Sequence, residues 1–272
     1  MFKYYFIDQR AAYIWHEMNL WMRLPKHPHI VPFEAIVVDE IEWRCVGFTT
    51  AYIPGGNLKE NQTRIFKLKW LHQLTAVIDE LNLNIGIAHQ DVAPRNLLID
   101  DKTDSLMIFD FDFSARIGMV GHSEARNDVK GVIFTMYEII THDDTLRAVR
   151  HEEQTVLDIE GKEWTLHPDV QLDHPVSEFQ RVLAQWSERR RQGERITSYR
   201  DAPNFIDWPD QPEPPRSESL PGSLTEMVPQ WQKKRTEMLQ EGETVLNWQR
   251  PPHAKLKAGD RILETGELVQ ET

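Results

Sequence analysis

Residues 87–114 read IAHQDVAPRNLLIDDKTDSLMIFDFDFS, and this stretch decides the fold of the chain. His89, Asp91 and Asn96 follow the spacing H-x-D-x-x-x-x-N. Fourteen residues beyond Asn96, Asp110 ends an apolar run and opens the sequence Asp-Phe-Asp. The stretch therefore gathers a histidine, an amide and several carboxylates into two short turns.

Two strand-forming runs, residues 97–99 and 105–109, predict a hairpin that holds these turns side by side. Phosphoryl transfer from a nucleotide needs a carboxylate that takes or orients the proton of an acceptor hydroxyl. It also needs oxygen ligands that hold Mg²⁺ against the phosphates. Asp91 can supply the first group, and Asn96 and Asp110 can supply the ligands.

Both turns resemble elements of the protein-kinase superfamily. Residues 89–96 are similar to its catalytic loop, and Asp110-Phe111-Asp112 resembles its Asp-Phe-Gly metal-binding element. The resemblance implies an α+β, two-lobed fold with a mainly helical C-terminal lobe, and it implies ATP and Mg²⁺ as cofactors. It also implies that Asp91, Asn96 and Asp110 are catalytic, that Asn96 and Asp110 bind the metal, and that His89 is structural.

The resemblance extends towards the N-terminus. Glu17 lies in a predicted amphipathic helix, residues 8–24, and the sequence His-Pro-His-Ile-Val at 27–31 resembles the turn after the helix C of kinases. In the family this Glu pairs with a strand Lys that grips the phosphates, which implies that role for Lys3. No glycine-rich loop precedes Lys3, so we expect an incomplete N-terminal β-lobe.

The sequence Tyr-Ile-Pro-Gly-Gly at 52–56 resembles the hinge between kinase lobes. The resemblance implies that backbone groups near Ala51 and Ile53 bind the adenine edge. Apolar residues at helical spacing predict a helix over 64–83, and DVKGVIFTMYEIIT at 128–141 resembles helix F of the family.

Several positions depart from the usual kinase pattern. Gln90 replaces the Arg that binds a phosphorylated activation loop, so we expect no such switch. Ala93 replaces the Lys of Ser/Thr kinases, whereas Arg95 stands where tyrosine kinases have an Arg. Only eighteen residue steps separate Asp110 from Asp128, which is the candidate for holding the catalytic loop and a plausible helix N-cap.

We predict three segments. Residues 1–53 are a partial kinase N-lobe, residues 54–200 are the C-lobe with an amphipathic helix at 176–192, and residues 201–272 are a Pro-rich linker and a weakly structured tail. One further helix is predicted over 224–240.

Charge, hydropathy and cysteine content predict which partners and which cellular location suit the chain. The formal net charge of −12 argues against a nucleic-acid partner, and no run of 18 apolar residues predicts a membrane span. Cys45 is the one cysteine and lies in an apolar strand, so we predict a buried thiol, no internal disulfide and a cytoplasmic or nuclear location.

The predicted function is that of an ATP-dependent, protein-kinase-like phosphotransferase that acts on a hydroxyl of a protein or small molecule. One alternative is a pseudokinase that uses the fold as an interaction surface. Another is a small-molecule kinase of the aminoglycoside or choline type, because those enzymes often carry an acidic pair such as Asp-Phe-Asp at residues 110–112.

Overall fold

The computed structural model describes residues 1–4, 11–38, 45–62, 64–193, 195–209, 240–241, 260–262 and 268–270. The chain divides into two compact units. The first contains Met1–Val37 and Val46–Gln211, and the second contains Val38–Cys45 and Pro212–Thr272. All the candidate site residues lie in the first unit, which mixes helices with small sheets as an α+β fold does.

A three-stranded sheet and one helix form the N-terminal part of the first unit. They are β1 (Phe2–Tyr4), α1 (Ala11–Trp21), β2 (Phe33–Val38) and β3 (Cys45–Thr50). The strand order is β1-β3-β2, and β1 runs antiparallel to β3 with Lys3 opposite Phe48. Trp21 of α1 packs its ring edge-on against Phe48 and Phe111, so α1 joins the sheet to the Asp-Phe-Asp turn.

The turn after α1 is tied to the hairpin strand that leads to Asp110. The backbone N–H of Val31 donates to the carbonyl of Ile108 at 3.1 Å, and the N–H of Ile108 donates to the carbonyl of His29 at 2.9 Å. Trp21 donates its indole N–H to the carbonyl of Val31 at 2.7 Å. These bonds satisfy backbone groups that Pro25 and Pro28 keep out of a helix.

Helices dominate the C-terminal part. They are α2 (Leu68–Asp79), α3 (Asp128–Thr141), α4 (Leu157–Glu160) and α5 (Val176–Gln192). The core between them is fully buried and includes Leu71, Leu74, Ile78, Val132 and Phe179. The three-to-four spacing of Leu71, Leu74 and Ile78 is the pattern that predicted α2.

The bounds of α2 differ from the predicted 64–83. Phe66 is excluded from the helix because its backbone N–H donates to the carbonyl of Gln171 at 2.8 Å in a parallel bridge. At the other end, α2 continues into a π-helical turn, Glu80–Ile85, which Gly86 ends in the left-handed conformation at φ 79°.

Four short strands complete the first unit: β4 (Ile87–Ala88), β5 (Leu97–Asp100), β6 (Ser105–Ile108) and β7 (Ala115–Arg116). β4 pairs with β7 and β5 pairs with β6, both antiparallel. Residues 89–96 connect β4 to β5, and residues 109–114 connect β6 to β7. The two pairings therefore place these loops side by side, as the predicted hairpin requires.

The helix α5 has the bounds that the sequence predicts, and its basic end has a structural use. Arg190 donates to Asp79 at 2.6 Å and to the side-chain oxygen of Asn82 at 3.0 Å, at the end of α2. Arg189 also contacts Asp79 at 3.2 Å. Positive charge at the C-terminal end of a helix is favourable in addition.

The predicted burial of Cys45 is wrong, because its side chain is exposed. Cys45 is the first residue of β3, and Phe48 of the same strand is buried where β3 pairs with β1. The apolar pattern predicted burial for the whole strand, whereas the structure buries Phe48 and leaves Cys45 exposed.

The predicted weakly structured tail contains a strand pair, in which β8 (Asp260–Ile262) runs antiparallel to β9 (Leu268–Gln270). The predicted helix over 224–240 lies outside the described residues except for its last residue, and so does the predicted start of α1 at Asp8. None of the described helices is both long and apolar enough to span a membrane.

Gly86 gives a test of this packing. A Cβ on Gly86 would lie 2.5 Å from the carbonyl oxygen of Tyr199, and φ is positive, so we expect Gly86→Ala to lower the unfolding free energy by about 3 kcal/mol. Gly121→Ala is the matched control, because Gly121 also has positive φ but its Cβ would meet only Ala115, at 3.7 Å. We expect that change to cost about 1 kcal/mol. Equal losses in urea unfolding would contradict the close approach.

Candidate active site

The loop 89–96 is held from beneath by a buried carboxylate. Asp128, the first residue of α3, accepts hydrogen bonds from the backbone N–H groups of His89 and Gln90 and from the amide of Asn82, each at 2.7 Å. The predicted role of Asp128 in holding this loop is confirmed. Its predicted role as N-cap is wrong, since Asn127 caps two N–H groups of the first turn and leaves Asp128 for the loop.

His89 links the two loops. Its Nε2 lies 3.1 Å from the carbonyl oxygen of Phe109, and its fully buried ring packs against Phe111 at a centroid distance of 5.0 Å. This confirms its predicted structural role. Gln90 and Asp110, which lie next to these contacts, have φ of 63° and 66°. Positive φ in residues other than glycine persists only where surrounding contacts enforce it, and it clusters at functional sites.

Both carboxylate oxygens of Asp91 accept hydrogen bonds from neighbouring side chains. Asn96 donates its amide to Oδ2 of Asp91 at 2.7 Å and to the backbone carbonyl of Asp91 at 2.8 Å. Arg95, whose side chain is half exposed, donates to Oδ1. Each carboxylate oxygen keeps a second lone pair beside these bonds, so an incoming hydroxyl can hydrogen-bond to Asp91 while Arg95 and Asn96 hold it.

Asn96 and Asp110 are neighbours across the hairpin. The register of β5 and β6 places Leu97 opposite Ile108, and the backbone N–H of Phe109 donates to the carbonyl of Asn96 at 3.2 Å. Asp110 is the next residue, so the structure brings these two predicted ligands together.

Lys3, Glu17 and Asp110 form a compact charge cluster. The Nζ of Lys3 lies 2.5 Å from a carboxylate oxygen of Glu17 and 2.5 Å from one of Asp110. Glu17 is fully buried, whereas about a third of the Asp110 side chain is exposed. Lys3 is 107 residues from Asp110 along the chain, so only the fold can produce this contact.

The cluster carries more negative than positive charge. Burial raises the pKa of Glu17 to about 7, against the opposing effect of Lys3, and the charges of Asp110 and Asp112 add to the rise. Burial acts to lower the pKa of Lys3, but Glu17 and Asp110 outweigh it and raise that pKa. Lys3 is therefore charged at neutral pH, while Glu17 titrates near neutrality.

The residues present fit a magnesium ion shared with phosphates. Asp110 offers a carboxylate, and Asn96 offers its amide oxygen because its amide nitrogen is bonded to Asp91. Mg²⁺ usually takes one or two protein oxygens and completes its shell with water and phosphate. Consistently, the described part of the chain has no cluster of three or more His, Cys, Asp or Glu that would enclose a metal.

Ala51 and Ile53, the predicted adenine contacts, follow β3 directly and pack partly buried against the core. The backbone N–H of Ala51 donates to the carbonyl of Pro32 at 2.9 Å. Ala51 can therefore offer only its carbonyl to an adenine, and Ile53 would have to supply the donor.

Gln90 has a role that sequence reasoning missed. Its amide nitrogen donates to the carbonyls of Phe113 at 2.6 Å and Gly121 at 2.8 Å, and its amide oxygen accepts from the N–H of Ser123 at 2.6 Å. One neutral, buried side chain thus binds both ends of the segment 113–123. The sequence signal was a Gln at a position where kinases usually have an Arg. It indicated that the Arg contact with a phosphorylated activation loop is absent, but not what Gln90 binds instead.

Arg147 is a second missed residue. Its guanidinium donates to the carbonyl of Val92 at 3.1 Å, to Glu138 at 2.6 Å and to the hydroxyl of Thr135 at 3.1 Å. Thr135 itself donates to the same carbonyl at 3.0 Å. These bonds fix the middle of the loop 89–96. Arg147 belongs to no motif, so nothing in the sequence indicates this role.

The amide of Gln90 can be tested with an isosteric acid. We expect Gln90→Glu to lower the unfolding free energy at pH 8 by about 3 kcal/mol, because a carboxylate would face two carbonyl acceptors. The loss should shrink at pH 5, where a protonated Glu can donate again. Gln73→Glu is the control, since Gln73 uses its oxygen to accept from the N–H of Leu106 at 2.8 Å. Equal losses at both positions would contradict this role.

The raised pKa of Glu17 predicts a pH dependence. Between pH 4.5 and 7 the folded state binds a proton that the unfolded state has lost, so the unfolding free energy should fall as pH rises, by about 2–3 kcal/mol. Lys3 contributes nothing in this range because it is protonated in both states. Denaturation of Glu17→Gln across the range should show a flatter profile, and the exposed control Glu163→Gln should not. Identical slopes in all three proteins would contradict the assignment.

Comparison with known proteins supports the motifs. No family model matches the chain. It is 35% identical to CBL-interacting serine/threonine-protein kinase 20 of Arabidopsis thaliana over 103 residues, which are 35% of this chain and 21% of that protein. It is 31% identical to the Arabidopsis thaliana kinase of the same name numbered 16, over 117 residues, 40% of this chain and 24% of that protein.

A rice relative matches similarly. CBL-interacting protein kinase 5 of Oryza sativa subsp. japonica is 31% identical over 103 residues, 35% of this chain and 20% of that protein. The chain thus spans about a fifth of the length of the curated relatives it matches. Together with the catalytic-loop geometry, these matches show that the chain contains a protein-kinase-like domain.

Proposed function

We propose that this domain transfers the γ-phosphoryl group of ATP to a hydroxyl acceptor, with Mg²⁺ as cofactor. The observation that carries the proposal is the position of Lys3, whose Nζ lies 2.5 Å from both Glu17 and Asp110. A buried acid that orients a lysine beside a partly exposed metal-type carboxylate suits the binding of a metal-bound triphosphate.

In this proposal Lys3 holds the phosphates and Glu17 orients Lys3. Asp110 and Asn96 hold Mg²⁺, which when bound neutralises negative charge on the phosphates. The carbonyl of Ala51 and the N–H of Ile53 would bind the adenine. Catalysis then rests on position and charge, as it does for phosphoryl transfer in general.

Asp91 is the proposed base or orienting group. The acceptor hydroxyl would hydrogen-bond to Asp91, its oxygen would bond to the γ-phosphorus, and the bond from that phosphorus to the bridging oxygen of ADP would break. The hydroxyl proton would pass to Asp91 and then to solvent. Arg95 and Asn96 would orient the carboxylate of Asp91 during this step, since each of its oxygens can accept a second hydrogen bond.

Two observations bear on the chemical class of the acceptor, and they favour different classes. The Arabidopsis relatives are named as serine/threonine-protein kinases, which supports a protein hydroxyl. The acidic pair of Asp110 and Asp112 supports a small-molecule hydroxyl instead.

A binding module without catalysis is the second candidate function. The observation that favours it is that Asp91 is already bonded within the chain, since Arg95 donates to one of its carboxylate oxygens and Asn96 to the other. Such a pseudokinase could still bind a nucleotide through Lys3 and Asp110. Nucleotide binding and phosphoryl transfer must therefore be measured separately.

We expect millimolar Mg-ATP to raise the melting temperature of the wild type by about 5 °C, and Asp110→Asn to abolish this rise while the fold persists without nucleotide. Asp158→Asn, a change of the same chemistry on the exposed face of α4, should keep the rise. Differential scanning fluorimetry makes the measurement. A wild type that Mg-ATP does not stabilise would end the proposal.

Asp91→Asn separates the two candidate functions. It should keep the Mg-ATP stabilisation and lower phosphoryl transfer to protein or small hydroxyl acceptors by about 10²–10⁴-fold, the usual contribution of a general base. Transfer by the wild type at the rate of Asp91→Asn would favour the binding module.

A further inference from the structure

Residues 195–209 follow α5 after one residue that the structure does not describe. They belong to the first unit and pack against its other elements. We call them the strap. Tyr199, Ala202 and Trp208 within them are buried, with 2%, 3% and 6% exposure. The sequence predicted a linker from residue 201 onward, because the stretch is polar and rich in proline. Buried aromatic side chains at intervals along it indicate a docked segment instead.

The first anchor of the strap is a close backbone approach at two glycines. Gly86 and Gly118 both have φ of 79°. A Cβ on Gly86 would lie 2.5 Å from the carbonyl oxygen of Tyr199, and one on Gly118 would lie closer still to that of Thr197. The N–H of Tyr199 donates to the carbonyl of Ile117 at 2.8 Å. Only glycine at both positions lets the strap lie this close.

The second anchor is Arg116 of β7. Its guanidinium lies 5.3 Å from the ring centroid of Tyr199 and 4.5 Å from a ring centroid of Trp208. It forms an ion pair with Asp207, which also accepts from the hydroxyl of Tyr199 at 2.9 Å. Arg116 is 9% exposed, so its charge is satisfied largely by the strap.

The third anchor is the side of α1. The indole N–H of Trp208 donates to Nδ1 of His16 at 3.2 Å, and the two rings meet edge-on. Trp15 returns the contact by donating its indole N–H to the carbonyl of Pro209 at 2.9 Å. Both residues immediately precede Glu17 in α1.

These anchors join β7 to α1, the helix that contains Glu17. Trp21 fixes the last residue of α1 to the turn that follows it, and the strap holds the helix at Trp15 and His16. Glu17 lies between these two attachments, so the helix cannot rotate about its axis and carry Glu17 away from Lys3.

We infer that the strap positions α1, and that Trp208 is the positioning residue through which it acts. Its effect on a nucleotide rests on the proposed function, because Glu17 would reach the phosphates only through Lys3. Its effect on α1 does not. A structural effect is therefore measurable without any ligand.

Three variants of the full chain test the inference. Trp208→Ala removes both the ring over Arg116 and the bond to His16. Trp208→Phe keeps a ring over Arg116 and removes only the N–H donor, so it should fold as the wild type does. Phe205→Ala is the matched control, since Phe205 lies in the strap, is 45% exposed and contacts the ring of Tyr199.

Hydrogen exchange read by mass spectrometry gives the decisive measurement. We expect amide exchange in α1 to quicken by about tenfold in Trp208→Ala and about threefold in Trp208→Phe, with α2 unchanged and no change in Phe205→Ala. Unchanged exchange of α1 in Trp208→Phe, or equal quickening in α1 and α2, would overturn the inference even where Trp208→Ala fails to fold.

Mg-ATP affinity separates this inference from the proposed function. We expect the dissociation constant to rise by about fivefold in Trp208→Ala and to stay at the wild-type value in Phe205→Ala. If α1 loosens in a chain that does not bind Mg-ATP, the strap stands and the phosphotransferase proposal fails. If α1 stays unchanged in a chain that binds Mg-ATP, the strap alone fails.

Discussion

The buried carboxylate of Asp128 is the constraint on which the site depends. A charge with 3% exposure must be satisfied by hydrogen bonds, and it finds them in the backbone of His89 and Gln90 and in the amide of Asn82. The loop 89–96 is therefore attached to α3 by a group that would be costly to leave unpaired. The same carboxylate sets the backbone just before Asp91.

This network reaches the other helices through Asn82. Its amide nitrogen also donates to the carbonyl of Ile87 at 2.8 Å, and its oxygen accepts from Arg190 of α5. Arg190 in turn contacts Asp79, which also accepts from the indole of Trp186. Three helices thus meet one polar chain of contacts that ends under the catalytic-type loop, so their packing and the loop geometry are set together.

How far the sequence predicts this molecule depends on whether a feature is local. The bounds of α5 follow from its periodic apolar positions, and the neighbouring positions of Asn96 and Asp110 follow from one hairpin. Cys45 was misjudged because burial differs along one strand, since Phe48 is buried and Cys45 is exposed, and no local pattern records this difference. The contact of Trp208 with His16 spans 192 residues, and the sequence reads that segment as a linker because proline and charge dominate it.

Glu17, Asp91 and Asp110, the carboxylates of the candidate site, all form ion pairs within the chain. Lys3 forms ion pairs with Asp110 and Glu17, and Arg95 forms an ion pair with Asp91. Without these cations the carboxylates would repel one another, and the pKa of Glu17, already raised by burial, shows how little further negative charge the cluster accepts. A metal-bound triphosphate brings both signs of charge, so its cation can replace Lys3 on Asp110 while its phosphates take up Lys3. On this view, binding would exchange the ion pair of Lys3 with Asp110 for contacts with the ligand, which carries a net negative charge of its own. At Asp91 no such exchange is needed, because each carboxylate oxygen keeps a second lone pair beside its bond to Arg95 or Asn96.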